Sequence, residues 1–138
     1  MTTEMPPVFS WPVRIYYEDT DAGGIVFYAN YLKFFERART EWLRAAGVSQ
    51  QDLLNEEAAI FVVKSASLDY HAPARLDDVL NLTLSIEKLG RASVSFVQQA
   101  WCGDTLLTSA NVKVGCVDAA TLRPRSLPDA TAAKMRAA

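Results

Sequence analysis

From Val79 to Glu87 the chain reads VLNLTLSIE, with apolar and polar residues alternating from Leu80 onward. Successive side chains of a strand point to opposite faces, so the leucines share one face and the polar residues the other. Ile60 to Tyr70, Ala92 to Trp101 and Leu106 to Val117 read as further strands. Gly90 marks one turn and Gly103-Asp104 forms a natural hairpin tip. The sum is an antiparallel sheet with one apolar face. Something else in the chain must cover it.

One long segment can. From Tyr31 to Ala46, apolar residues recur at Tyr31/Leu32, Phe35, Ala38, Trp42/Leu43 and Ala46, the three-and-four spacing of a helix with one buried face. Lys33, Glu36, Arg37, Glu41 and Arg44 fall largely on the other side, and Gly47 sits where a left-handed cap ends the helix. Ser49 is positioned to cap a shorter helix over QQDLLNEEA, although Glu56 and Glu57 suit its C-terminus poorly. Val13 to Tyr17 reads as a short strand, Met1 to Ser10 as a flexible lead-in, and Pro128 to Ala138 as a terminal helical turn. An early helix followed by a run of long strands defines an α+β domain.

At 138 residues, half of them hydrophobic, the chain reads as a single domain over 1–138, able to bury a core without staples. A formal net charge of -2 supplies no basic field to hold nucleic acid or an anionic membrane. Cys102 and Cys116 lack metal-ligand spacing, and His71 is the one histidine, so buried free thiols in a reducing compartment are expected and a metal site is not. The N-terminal residues MTTEMPPVFSWPV show no basic start followed by an apolar core, so a signal peptide is not expected, and no apolar run approaches a membrane span. The expected location is the cytoplasm, with no integral membrane association.

The chemistry concentrates between Tyr16 and Asn30, YYEDTDAGGIVFYAN. Glu18, Asp19 and Asp21 precede the Gly23-Gly24 pair, and the helical run follows. The first amides of a helix have no partner within it and the macrodipole adds positive charge there, so this end favours an anion or a developing oxyanion. Glycine lets the backbone turn tightly and approach a ligand closely. The same residues also fit a plain capped turn.

The string EDTDAGGIVFYANYLKFFERAR resembles the signature of the hotdog-fold acyl-CoA thioesterases, in the branch of 4-hydroxybenzoyl-CoA thioesterase and the Tol-Pal-associated thioesterases. The resemblance continues through FVVKSASLDYHAPARLDDVL, GRASVSFVQQ and LRPRSLP. It implies a curved antiparallel β-sheet wrapped around a long central α-helix. It also implies hydrolysis of a short-chain or aromatic acyl-CoA thioester to free acid and CoA. By that match Asp21 is the nucleophile or general base, and the backbone amide of Tyr28 is the oxyanion donor. Gly24, Phe27 and Tyr31 would shape the substrate site, core packing being equally open for Tyr31, and Arg91 is the first candidate for CoA phosphates. Lys64, Arg123 and Arg125 are further basic candidates. Many Tol-Pal relatives carry histidine where this chain has Tyr28, which leaves the acyl group open.

The resemblance implies no metal or redox cofactor, coenzyme A being part of the substrate, and an acyl carrier protein thioester shares the same phosphopantetheine arm. It implies homodimers sharing a continuous sheet, often paired into homotetramers. Glu36 on the helix is a second candidate base. A Ser-His-Asp hydrolase would need His71 beside an activated serine, and the G-x-S-x-G elbow is missing. The alternatives are a non-catalytic acyl-CoA or acyl carrier protein binding module and a hotdog hydratase, distinguished by whether thiol is released or unsaturation altered.

Overall fold

The computed structural model describes residues 8–138. In chain order they form β1 (Phe9–Arg14), a 3-10 turn (Tyr17–Asp19), α1 (Asn30–Ala45), α2 (Gln50–Glu57), β2 (Ala59–Tyr70), β3 (Val79–Leu89), β4 (Ser93–Cys102), β5 (Thr105–Asp118) and α3 (Asp129–Ala137). The strands make one five-stranded antiparallel sheet in the order β1-β3-β4-β5-β2.

The leucine alternation sets the sheet's inner face. Leu80, Leu82 and Leu84 are all buried. Register then carries the pattern across the strands. Trp11, Leu82, Ala100, Thr108 and Tyr70 form one cross-strand row, and Phe9, Leu84, Gln98, Ala110 and Leu68 form the next. Onto this face α1 lays Tyr31, Phe34, Phe35, Ala38, Trp42 and Leu43. Phe34, Phe35 and Ala38 are fully buried, and Trp42 meets Phe96 edge-on with ring centroids 5.5 Å apart. Each large apolar side chain buried this way stabilises the fold by about 1.5–3 kcal/mol.

One polar residue sits in the middle of that face. Gln98 is fully buried, and its amide nitrogen donates to the Phe35 carbonyl (3.0 Å) while its oxygen accepts from Arg39 Nη1 (2.9 Å). A buried amide left unpaired would cost about 1–3 kcal/mol, so both bonds matter.

The structure moves three of the expected boundaries. The first strand runs from Phe9 rather than Val13, because Phe9–Arg14 pairs with Val79–Leu84 at the sheet edge. Pro12 is tolerated there, since an edge strand leaves one row of backbone groups outside the ladder. Of the expected lead-in, Phe9 and Ser10 are strand, and residues 1–7 lie outside the described residues. The tail is a full helix, not a turn, because Ala132 and Met135 dock into the core and Lys134 Nζ reaches the Gly47 carbonyl (3.1 Å). The short second helix forms as its cap suggests: Ser49 Oγ accepts from the Asp52 amide (3.2 Å), and left-handed Ala58 (φ 50°) ends it. Gly47 (φ +86°) closes α1 in the left-handed region where glycine carries no steric penalty. No helix among the described residues is long and apolar enough to cross a membrane.

Candidate active site

The acidic stretch is a small hairpin folded against the head of α1. Asp19 anchors its base. Its carboxylate accepts the Tyr16 amide (2.8 Å), and its carbonyl accepts both the Phe27 amide (3.0 Å) and Asn30 Nδ2 (2.9 Å). Thr20 bridges to Val26, and the Asp21 amide donates to the Ile25 carbonyl (2.8 Å). Val26 then ties the hairpin to the loop between β2 and β3 through the Ala74 carbonyl (2.9 Å). The helix starts at Asn30, after this hairpin and not directly behind the glycine pair.

Asp21 occupies the tip. Its Oδ1 accepts the Gly23 amide (2.8 Å), while Oδ2 has no partner among the described residues, and the side chain is exposed. Gly24 takes φ +79°, which only glycine adopts without strain. Gly23 is the neighbour that a reading centred on Gly24 misses: a Cβ there would stand 3.2 Å from Asp21 Oδ1. Two of the three acids are thus separated by use. Asp19 is committed to holding backbone, and Asp21 keeps one oxygen open.

At the other end of the hairpin, neither Tyr28 nor Ala29 donates its amide to any acceptor among the described residues. Tyr70, from the end of β2, reaches across and donates its hydroxyl to the Tyr28 carbonyl (3.0 Å). Its ring stands edge-on to both Tyr28 (6.1 Å) and Tyr31 (5.7 Å), and Phe27 packs on Tyr28 at 4.9 Å. Burial, then Tyr28, pushes the Tyr70 phenol above its ordinary value, which keeps it a donor. Nothing in the local spelling marks Tyr70, because its link to Tyr28 is made by sheet register and not by sequence distance.

The other expected residues divide. Phe27 and Tyr28 present exposed rings beside the hairpin, whereas Tyr31 is 3% exposed and packs on Phe34 and Phe35 as a core residue. Burial pushes its phenol up, with the Thr108 hydroxyl pulling the other way. Arg91 lies beyond the far end of β3, with its Nε on Ser126 Oγ (3.0 Å) and its carbonyl on the Leu127 amide. The eleven residues of β3, at about 3.3 Å each, separate it from the hairpin, so one chain does not bring Arg91 and Asp21 together. Lys64 lies over Gly115, and Arg125 is engaged by the Glu57 carbonyl. Glu36 accepts the Thr40 hydroxyl (2.8 Å). His71 Nε2 contacts Ser109 Oγ (2.5 Å), but no acid among the described residues orients its other ring nitrogen, which a hydrolase triad requires. Cys102 and Cys116 are free thiols, and burial raises the Cys116 pKa.

A carboxylate at the tip of a glycine turn and unpartnered amides at the helix end of the same hairpin, on a helix-covered antiparallel sheet, suit the class of acyl-transfer enzymes. Residues 23–109 match the family described as the thioesterase superfamily. This chain belongs to it, and is a thioester hydrolase of the hotdog fold. Among curated relatives, an acyl-CoA thioesterase YbgC of Haemophilus influenzae is 48% identical over 120 residues, covering 87% of this chain and 88% of the relative. An acyl-CoA thioester hydrolase YbgC of Escherichia coli O6:H1 is 48% identical over 130 residues, covering 94% and 96%. The crystal structure of a probable thioesterase from Bartonella henselae superposes with TM-score 0.84 at 32% identity, covering 88% of this chain and all of that one.

Proposed function

We propose that this chain hydrolyses a short-chain or aromatic acyl-CoA to the free acid and CoA, with Asp21 as the reacting carboxylate and the Tyr28 amide as oxyanion donor. The observation that carries the reading is the open Asp21 Oδ2 on the same hairpin as the unpartnered Tyr28 amide. The acyl-CoA thioesterase names of the 48% identical relatives support the substrate class.

The thioester carbonyl carbon takes an electron pair either from Asp21 itself or from a water that Asp21 deprotonates. Negative charge then builds on the carbonyl oxygen, where a helix-head amide stabilises it without reorganising. Collapse breaks the C–S bond, and the CoA sulfur leaves and takes up a proton. In the nucleophilic route the mixed anhydride is opened by water, which restores Asp21. Neither route asks for a metal or redox cofactor.

The hairpin is exposed on a single chain, so the acyl and CoA portions need further walls. A second copy, paired through the free edge of β2, supplies them in this reading, and an Arg91 from another copy would reach the CoA phosphates. The protein then works as a homodimer or homotetramer in the cytoplasm.

Thiol release from a panel of short, long and aromatic acyl-CoAs tests the proposal. Asp21→Asn should stay folded by circular dichroism, because the side chain is exposed, and lose about 10²- to 10⁴-fold in turnover. Full turnover in the folded variant would exclude Asp21, and acyl-CoA binding by wild type without thiol release would overturn the proposed reaction.

A further inference from the structure

A cleft of about 120 Å³ lies between α1 and the inner face of the sheet, away from the hairpin tip. Leu43, Phe61, Val94, Phe96 and Met135 give it apolar walls, and Arg39 gives it one cation. That cation is built in. Gln98, fully buried, holds Nη1 from below and is itself held by the Phe35 carbonyl.

What Arg39 lacks among the described residues is a salt bridge. The ion pairs among the described residues are Arg44 with Glu41 and Arg125 with Glu57, and Arg39 is in neither. Glu36, one helical turn away on the same cleft wall, turns its carboxylate to the Thr40 hydroxyl. A guanidinium carries five donors in a planar fork, and here one hydrogen bond is made. Burial pulls its pKa below the ordinary value, with Glu36 opposing. A half-buried cation with spare donors facing an apolar hollow calls for an anion with a hydrocarbon body, and a carboxylate matches the fork with two parallel bonds.

Size narrows the ligand. An apolar cavity of about 150 Å³ accepts benzene, so the smaller cleft holds roughly five or six non-hydrogen atoms. We propose that this cleft is a binding site for a short-chain carboxylate such as propionate or butyrate, with its carboxylate on Arg39 and its alkyl chain against Leu43, Phe61 and Phe96. The source of that ligand, the acid released by thioester hydrolysis, rests on the proposed function; the site does not.

The test is a titration of the full chain with sodium butyrate, followed by ¹H–¹⁵N NMR including the Gln98 side-chain amide, with sodium chloride and neutral butyramide as controls. Saturable shifts at Gln98, with a dissociation constant on the order of 1 mM, suit so small a ligand. Arg39→Met should weaken butyrate about tenfold or more. Since that change strips Gln98 of a donor, Gln50→Trp serves as a second variant that crowds the cleft from its exposed side and keeps both the Arg39–Gln98 and the Thr40–Glu36 bonds. Loss of binding in both folded variants supports the site. A response matched by chloride or butyramide, binding retained in either variant, or no saturation overturns it. Asp21→Asn should bind butyrate normally. A wild type that binds butyrate but releases no thiol from any acyl-CoA would sink the proposed reaction and leave this site standing.

Discussion

In the proposed reaction, the Tyr70 hydroxyl would act through the backbone it holds and not by touching substrate. Its bond to the Tyr28 carbonyl fixes the peptide plane that carries the open Ala29 amide, the next unit along from the open Tyr28 amide, and so holds the turn that presents both. A preorganised donor is worth far more than one that must be oriented at the moment of reaction. Tyr70→Phe keeps the ring contacts with Tyr28 and Tyr31 and removes only that bond. Steady-state kinetics should show kcat reduced about five- to tenfold, the equivalent of one ordinary hydrogen bond, with KM nearly unchanged and the melting temperature close to wild type. An equal rise in KM would instead make Tyr70 a substrate contact.

At the scale of elements, the β5 exit carries a pH signature. Asp118 Oδ1 accepts the Ala120 and Thr121 amides, both at 2.9 Å, and these backbone donors hold its carboxyl below the usual value. A depressed carboxylate contributes stability above its unfolded pKa and loses it as pH falls through the folded one. Asp118→Ala should therefore melt lower than wild type at pH 7, and the gap should close in acid, as thermal scans from pH 7 to pH 2 would record.

Elements also explain what the sequence could and could not announce. The β3 leucines, the α1 stripe and the Ser49 cap are local signals, each decided by a few neighbouring residues, and all three appear in the structure. Phe9 to Pro12 become strand only because β3 lies beside them, and α3 extends only because Met135 finds the core. The hairpin divides in the same way. Its glycine turn is spelled in GG, but the separate roles of Asp19 and Asp21 depend on which carboxylate finds a backbone amide. Tyr70 and the Gln98–Arg39 link join residues far apart in sequence, which no spacing can reveal.

At the scale of the whole molecule, β2 is the telling strand. Among the described residues it pairs with β5 on one side only, and Lys64 to Ser67 are exposed, as are Asp69 and Tyr70. An uncovered edge of that length invites a partner strand. In a two-fold pairing, equivalent side chains approach one another, and like charges there repel. If this edge carries the proposed dimer, sedimentation velocity should find wild type dimeric and Ser65→Glu combined with Ser67→Glu monomeric, with turnover lowered in the double variant. An unchanged dimer would locate the interface elsewhere.

The strand order has one more consequence, for how the chain reaches its native state. β3, β4 and β5 form a meander of adjacent hairpins, whereas β1 and β2 must each close a long loop to reach the two edges. Loop closure must precede the contacts that reward it, so the meander forms first and the flanks condense on it. Native-state hydrogen exchange should find the slowest amides in β4 and its neighbours, with β1 and β2 opening at lower free energy. Tyr70 lies at the end of β2. The grip on the head of α1 is then among the last native contacts to assemble, and among the first to let go under mild denaturant while the central sheet is still intact.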